Sequence, residues 1–473
     1  MANSSLLRWT LLASAGFALS ACAVGPNYKR PAAPMQASYR EAEGWTPATP
    51  LDHIDRGAWW SAFNDPVLDQ MERQVTLSNL NIAEAEAAYR QAKAVVVEDR
   101  AALLPAVSAS LTSSNNGGGS AAAKAAGGGR YNASVNADWA FDVFGKLRRQ
   151  LEAGKASAQS SAAALANARL AAQSALAIDY FTLRGLDAQA DLLKAEVANL
   201  QRALDVAQNQ YKAGVAARAD VIAAETQLDS AKASLLDLGV QRGQLEHAMA
   251  VLMGEPPAEF RLPAGRLVKT VPVAPTGLPS DILQRRPDVA EAERNVAAAS
   301  AGIGVAEAAF FPSFNLTASD TSTAKHLGDL FQSSTNSWAL AATGTETIFN
   351  FGARLAGVQS AKAVYAQRVA AYRLAVLQAL QNVEDELVSL RVLEQEQAVR
   401  ERAEANARQG ETIALNQYKA GQTAYTSVVV AQNTALAAEI NSVNVLKSRL
   451  VASASLIEAL GGGWSEHEIG LKR

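Results

Sequence analysis

An internal repeat with a constant offset of 207 positions constrains this chain more than any other feature. Residues 82–86 read Ile-Ala-Glu-Ala-Glu and residues 289–293 read Val-Ala-Glu-Ala-Glu. Further matches at this offset are Pro105 with Pro312, Phe144-Gly145 with Phe351-Gly352, 210–214 with 417–421, and Gly254 with Gly461. A unit this long far exceeds the ~20–50 residues of solenoid repeats. The sequence therefore predicts two copies of one large module.

The first residues of the chain are typical of a secretion signal that ends at a cysteine. An apolar stretch at 9–19 follows Arg8 and is too short to span a membrane. Residues 19–22 read Leu-Ser-Ala-Cys, which resembles the lipobox of bacterial lipoproteins, and Cys22 is the single cysteine. We therefore predict that Cys22 is acylated and is the mature N-terminus, with sorting to the outer membrane because Ala23 replaces the aspartate of an inner-membrane retention signal. An ordinary signal peptide ending near a cysteine is the alternative.

Proline positions divide the chain. Residues 106–255 and 313–473 contain none, whereas seven lie from Pro256 to Pro287. Because proline breaks helix interiors, this pattern predicts a linker between two long helical regions. The predicted divisions are a signal peptide at 1–21, a lipidated N-terminal segment and equatorial extension at 22–77, copy one at 78–254, a linker at 255–284, copy two at 285–461 and a C-terminal tail at 462–473.

Each copy predicts a helix, two strands and a long helical hairpin. Within 131–143 the odd positions are apolar and most even positions are polar, which indicates a two-faced strand. We expect strands within about 105–145 and about 312–352, the last of them at 338–351. Two ordinary surface hairpins of a soluble protein are the alternative. Four lipid-facing strands cannot close around anything, since even ~8 strands leave only a filled interior, so several chains must share one barrel.

The tract after the strands predicts long coiled helices. Residues 146–212 would form a helix of ~100 Å at about 1.5 Å per residue. An unbroken heptad seam runs along it. Its members are Leu183, Leu186, Ala190, Leu193, Val197, Leu200, Leu204, Ala207 and Tyr211. The equivalent seam of copy two is interrupted by Gln397, Arg400 and Glu404, so we expect it to lie elsewhere or to face water.

Composition and motifs exclude several functional classes. The formal net charge of −3 without charged runs leaves no basic footprint for nucleic acid. The four histidines are far apart, no nucleophile elbow is present, and no glycine-rich loop has both a following lysine and the strand context of a phosphate-binding loop. We therefore predict no enzyme activity, no cofactor and no metal site. Arg285-Arg286 beside Pro287-Asp288 could form an anion site, but local pairing at a helix start is favoured.

Several motifs of the chain belong together: 24–28 (Val-Gly-Pro-Asn-Tyr), Trp59-Trp60 with Phe63, Asp65-Pro66, 285–289 (Arg-Arg-Pro-Asp-Val) with Ala292-Glu293, and 139–145. In combination they resemble the TolC-type outer membrane factors, most closely the lipoprotein branch that serves RND-type multidrug and metal efflux systems. The resemblance implies a homotrimer with a twelve-strand β-barrel on a long α-helical barrel, lodged in outer-membrane lipid and extending into the periplasm. It implies a passive duct that works with a periplasmic adaptor and an inner-membrane pump. A periplasmic coiled-coil lipoprotein adaptor or scaffold is the alternative function.

The resemblance also implies roles for the tips of the helical hairpins, which in this family close the periplasmic end and meet the adaptor. The corresponding residues are Tyr211 with Gly214 and Tyr418 with Gly421. In many relatives acidic residues just past the second tip ring the narrowest point. Here Asp220 follows the first tip, whereas Ser427 and Val430 occupy the second. We expect a gate closed by apolar packing of 428–430 and by the two tyrosines, with Asp220 pairing at the adjoining hairpin.

Overall fold

The computed structural model describes residues 23–36, 38–42, 58–116, 128–272, 285–462 and 464. The predicted signal peptide, Cys22 and most of the C-terminal tail lie outside these residues. The helices are α1 Pro66–Ser78, α2 Leu80–Ala101, α3 Lys146–Lys212, α4 Arg218–Leu252, α5 Pro287–Ala308, α6 Ala353–Lys419 and α7 Tyr425–Ala459. The strands are β1 Ala106–Asn116, β2 Gly128–Phe141, β3 Ser313–Ala324 and β4 Asn336–Thr345.

The internal repeat of the sequence is also a repeat of structure. Helices α2 and α5 have 22 residues each, α3 and α6 have 67, and α4 and α7 have 35. The two members of each pair begin 207 positions apart. Equivalent residues therefore occupy equivalent places in corresponding elements, which makes the offset a guide to structure.

The chain divides into two compact units, each of which combines parts of both copies. Within the described ranges, the first unit draws on Met1–Ala33, Ala88–Ala162 and Glu291–Arg373 and contains the sheet. The second unit draws on Pro34–Ala87, Ala163–Ala290 and Leu374–Arg473 and contains both helical-hairpin ends.

One antiparallel sheet contains the strands in the order β1-β2-β3-β4. Ala106 pairs with Asp138 in the first hairpin, and Ser313 pairs with Thr345 in the second. Both members of the second pair lie 207 positions after those of the first. The two hairpins therefore share one register.

The fourth strand ends at Thr345, six residues before the end that the alternation of residues 338–351 predicts. Phe351 and Gly352 have φ angles of 52° and 83°. These values lie in the left-handed region, which extended backbone cannot adopt. The prediction of a strand up to Phe351 is therefore wrong, and the junction with α6 turns there instead.

The heptad seam of α3 forms a packed core, as predicted. Leu183, Leu193 and Leu200 are 0 %, 5 % and 1 % exposed, whereas the last member, Tyr211, is 46 % exposed. The interrupted seam of α6 is hydrogen-bonded instead. Gln397 Oε1 accepts from Arg449 Nη1 of α7 at 2.7 Å. The polar residues thus join two helices.

Two arginines hold the described part of the predicted linker to the hairpin α3–α4. Arg184 Nη1 donates to the carbonyl of Pro263 at 2.7 Å, and Arg242 donates to the carbonyl of Leu262. Asp187, 4 % exposed, accepts from both guanidinium groups at 3.1 and 2.8 Å. These charge-assisted hydrogen bonds hold the linker backbone against the helices.

Arg286 settles the choice between an anion site and local pairing at the start of α5. Its Nη2 atom lies 2.6 Å from Asp288 Oδ2, and its Nη1 donates to the carbonyl of Ala459 at 2.8 Å. The guanidinium group is therefore used within the protein, and the predicted local pairing is confirmed.

Candidate functional site

The sheet has one apolar face and one polar face, because the register aligns the alternation of all four strands. The apolar face carries Val107, Ala109, Leu111, Val135, Ala137, Trp139, Phe141, Phe314, Leu316, Ala318, Trp338, Leu340 and Ala342. It also carries one charged residue, Asp320, which pairs with Val135 and Trp338. The polar face carries Ser108, Ser110, Thr112, Asn132, Ser134, Asn136, Asn315, Thr317, Ser319, Thr321, Ser337 and Thr343. On the apolar face Val107, Trp338 and Leu340 are 71 %, 81 % and 73 % exposed. The polar face also carries Arg130 and Asp138, which pair with Ser114 and Ala106. An exposed apolar face backed by a polar one is typical of strands between lipid and a water-filled lumen.

The N-terminal segment, residues 23–33, starts beside the junction of β2 and α3. The amide of Val24 donates to the carbonyl of Phe144 at 3.0 Å. A Cβ added to Gly145, whose φ is +83°, would lie 2.7 Å from the Cα of Ala23. Only glycine permits both this conformation and this approach. Gly145 therefore allows the N-terminal segment to lie directly against the junction of β2 and α3.

Arg149 fastens the same segment to α3. Its Nε and Nη2 atoms donate to the carbonyls of Val24 and Gly25 at 3.1 and 3.0 Å, and Nη2 also donates to Asn27 Oδ1 at 2.9 Å. The arginine is only 4 % exposed. A planar guanidinium group suits several fixed acceptors at once, so this residue orients the backbone that follows the predicted lipidation site.

Glu293 of α5 holds the end of the Val-Gly-Pro-Asn-Tyr motif. Its carboxylate accepts from the hydroxyl of Tyr28 and pairs with Arg294, and Arg30 Nε lies 3.4 Å from it. Burial opposes ionisation of this carboxyl group, but the hydrogen bonds from Arg294 and Tyr28 outweigh it and lower its pKa. The Val-Gly-Pro-Asn-Tyr motif therefore attaches the N-terminal segment to α5.

Both hairpin tips have the same backbone. Gly214 and Gly421 have φ angles of +75° and +72°, and their amides donate to the carbonyls of Tyr211 and Tyr418 at 2.9 Å. At each tip the next amide reaches the carbonyl five residues back, at 3.0 and 2.9 Å. This pattern is the Schellman ending of a helix, for which glycine is preferred.

An apolar cluster packs four helices together next to the tips. Its buried members are Leu200, Leu204, Ala207, Ala224, Leu228, Ala231, Tyr425 and Val428. Tyr418 joins it at the edge, with its ring 5.4 Å from that of Tyr425 and its hydroxyl donating to Gln210 Oε1 at 2.8 Å. Tyr418 thus links the second tip to α3.

The comparisons with known proteins identify the family. The sequence matches the family described as "Outer membrane efflux protein" over residues 73–255 and 278–462, which is most of the chain. The chain belongs to this family. This membership confirms the resemblance to TolC-type factors.

Relatives of similar length extend the match across the chain. The probable efflux pump outer membrane protein TtgC of Pseudomonas putida is 29 % identical over 96 % of this chain and 95 % of its own length. The pyoverdine export outer membrane protein OpmQ of Pseudomonas aeruginosa is 29 % identical over 100 % of this chain and 99 % of its own length. The solved structure of the outer-membrane channel OprN has a TM-score of 0.85 at 26 % identity and covers 94 % of this chain and 100 % of its own.

As an outer membrane efflux protein, the chain is the outer-membrane channel component of an efflux system and not an enzyme. Its localisation is the cell outer membrane. These findings set aside a periplasmic adaptor or scaffold. None of the helices in the described ranges is both long and apolar enough to cross a membrane.

The predicted gate residues lie near the tips in unlike surroundings. Val428 is 1 % exposed and Val429 packs against the same apolar cluster, whereas Val430 is 65 % exposed on the single chain. Ser427 Oγ accepts from Thr423 Oγ1 at 3.0 Å. Asp220 lies in the first turn of α4, and no side-chain partner is found for it among the described residues. The pairing of Asp220 therefore stays a prediction.

A cluster of acidic residues near the hairpin tips is not predicted by the sequence. Glu196 of α3 is 8 % exposed, and its Oε1 atom has no hydrogen-bond partner within the described ranges. Burial and the nearby charges of Glu411 and Glu439 raise its pKa. Arg408 pairs with Glu439 and Glu404. The i,i+4 spacing of Glu404 and Arg408 is visible in the sequence, but nothing there indicates that three helices bring these acids together. In the part of the chain that the structure describes, no group of His, Cys, Asp or Glu could hold a metal ion.

Proposed function

We propose that three copies of this chain form one passive duct, which an inner-membrane pump supplies and a periplasmic adaptor connects to that pump. The two-faced sheet carries the proposal. Its four strands are too few to close, since ~8 are needed even for a filled barrel, whereas three copies supply twelve. The apolar face would meet lipid, and the face of Ser, Thr and Asn side chains, which also carries Arg130 and Asp138, would line an aqueous lumen.

The hairpin tips fit the role of adaptor contact and periplasmic gate. Tyr211 and Gly214 at the first tip, and Gly421 at the second, are exposed, while Tyr418 is partly packed into the apolar cluster. Because the apolar cluster holds the four helices together beneath the exposed tips, the tips can bind a partner while the helices stay folded. We assign the gate itself to Asp220, Ser427 and Val430, whose side chains remain accessible on the single chain.

The N-terminal segment supports a lipid anchor on Cys22. Ala23, the next residue, lies beside Gly145 at the end of β2. Acyl chains on the preceding cysteine would then start where the membrane strands end. Each methylene buried in lipid contributes about 0.8 kcal/mol, so several chains hold a protein stably.

Mass spectrometry of the mature N-terminus tests the anchor: we expect an acylated Cys22 and loss of processing in Cys22→Ser. An unmodified Cys22 would rule the anchor out.

Single-channel recording in planar bilayers, with native mass analysis of the same detergent-solubilised sample, tests the duct. We expect trimers that conduct without any energy source. A stable folded monomer, or trimers that carry no current in any condition that opens the periplasmic end, would contradict the proposed function.

A further inference from the structure

The turn between β3 and β4, residues 325–335, is held in one shape by its own side chains. Thr335 Oγ1 lies 2.8 Å from the carbonyl oxygen of Gln332 and 2.9 Å from that of Asp329. Gln332 Nε2 donates to Asp329 Oδ1 at 3.0 Å. Leu330 is 1 % exposed. The turn is therefore a packed structure with a defined position on the sheet.

This turn folds over the apolar face of the sheet. Ser322 and Ala324 belong to that face, because they follow Asp320 along β3 in steps of two residues. Ser322 Oγ donates to the carbonyl of Leu330. Ala324 is buried, whereas Thr323, which lies on the polar face between them, is exposed. The turn thus covers the end of the apolar face and leaves the polar face open at the same level.

Two large apolar side chains of the turn lie uncovered on the single chain. Leu327 is 57 % exposed and Phe331 is 88 % exposed. Exposed apolar side chains next to an apolar face extend the surface that can meet lipid. We propose that residues 325–335 anchor the rim of the channel in the lipid of the outer leaflet, with Leu327 and Phe331 inserted where headgroups meet acyl chains. This inference deepens the proposed function and rests on it.

The residues beneath the turn mark the level of the membrane surface. Asp320 pairs with Trp338 on the apolar face, and toward the turn the next pair on this face is Ser322 with Asn336. Tryptophan is enriched at membrane interfaces, and the cost of a charged side chain on a barrel's lipid face falls there. The hydrocarbon-facing part of β3 and β4 therefore ends near Asp320. A turn that reaches back to Ser322 lies at the depth of the headgroups.

The position of the turn in the chain selects the outer leaflet. Helix α5 precedes β3 and α6 follows β4, so the helices join these strands at the end opposite the turn. In the proposed duct the helices extend into the periplasm, and the turn then lies at the external rim. Because it lies on the lipid side of the sheet, it does not narrow the exit.

Fluorescence quenching in reconstituted vesicles tests the anchor. An environment-sensitive fluorophore is attached to the thiol of Phe331→Cys, and matched controls carry it through Leu340→Cys on the apolar face or Thr323→Cys on the polar face. The vesicles contain phosphatidylethanolamine, phosphatidylglycerol and a phosphatidylcholine with a nitroxide either on its headgroup or deep in its acyl chain. Iodide is the aqueous quencher. The unmodified protein, taken through the same labelling, gives the background from Cys22.

The three positions should differ in their quenching. We expect the label at position 331 to be quenched most by the headgroup nitroxide, that at 340 by the acyl-chain nitroxide and that at 323 by iodide. Strong iodide quenching at 331 with lipid quenching at 340 overturns the anchor and leaves the duct standing. Strong iodide quenching at 340 shows that the apolar face does not meet lipid, and it overturns both proposals.

Single-channel conductance gives an independent test of the side on which the turn lies. Leu327→Ser/Phe331→Ser should leave the conductance of the reconstituted trimer unchanged, because neither side chain lies over the exit. Native mass analysis of the same sample checks that the trimer is intact. A higher conductance in an intact trimer would show that the two side chains narrow the exit, and it would overturn the inference.

Discussion

Glu72 of α1 is a carboxyl group without any of the partners that usually accompany burial. It is 0 % exposed, and neither of its carboxyl oxygen atoms has a hydrogen-bond partner among the residues that the structure describes. Burial, together with the charge of Asp69, raises its pKa from its usual value near 4.5 to about 9. The group is therefore neutral in the folded chain at physiological pH, because a buried unpaired charge would be far more costly.

This raised pKa makes folding depend on pH. Between about 4.5 and about 9 the folded chain keeps a proton that the unfolded chain releases, so the free energy of unfolding falls as pH rises through that window. We expect Glu72→Gln to raise the thermal midpoint at pH 8 and to leave it nearly unchanged at pH 4.5. Circular dichroism melts of the detergent-solubilised protein across this range measure both. Glu401→Gln, on the exposed surface of α6, is the control, and an equal stabilisation there would disprove the role of burial.

At the scale of single elements, the glycine of each hairpin tip carries the reversal between two long helices. Gly421 has a φ of +72° in open space, so a methyl group there meets only backbone strain. We expect Gly421→Ala to destabilise the tip by about 1–2 kcal/mol and to speed amide hydrogen exchange around it. Gly410 lies in the interior of α6 with equally open surroundings. The control Gly410→Ala should instead stabilise its helix by roughly 0.5–1 kcal/mol. Equal signs in the two variants would argue against the left-handed tip.

Attachment of the N-terminal segment is a second property of an element. Arg149→Lys keeps the charge but loses the planar set of donors that binds Val24, Gly25 and Asn27. We expect faster hydrogen exchange and earlier proteolysis within residues 23–33, with the trimer intact. Arg354→Lys, at the start of α6 where Arg354 pairs with Glu346, is the control. Unchanged protection in the Arg149 variant would show that other contacts hold the segment.

Sequence reasoning predicted what is encoded by spacing along one element. The heptad seam around Leu193 and the two-faced strand around Val135 were both visible as periodicity. The left-handed turn at Phe351 was not, because a non-glycine residue with positive φ has no sequence signature. Nor was the cluster around Glu196, since its members approach only when three helices pack. Local pattern thus gave the elements and their faces, while contacts between distant elements required coordinates.

The whole molecule adds threefold assembly to these local properties, and the gate is where assembly would matter most. In the proposed trimer, one residue of the second tip becomes three residues around a common axis. Ser427 is exposed in the first turn of α7, and its hydroxyl accepts from Thr423 at 3.0 Å. A ring of three hydroxyl groups carries no charge and binds divalent cations weakly. The unmodified channel should therefore be blocked only weakly by such cations.

Ser427→Asp should convert this ring into a cation site. A carboxylate in the first turn of a helix is itself stabilised by about 0.3–1 kcal/mol, so the variant should fold, and three carboxylates held close together attract a divalent ion strongly. Single-channel conductance, with divalent cations added on the periplasmic side, measures the block. We expect strong block in Ser427→Asp and only the weak block of the unmodified channel in Ser427→Asn, because asparagine has the shape of aspartate without its charge. Tight block of the unmodified channel that persists in Asp220→Asn would show that the constriction lies at other residues.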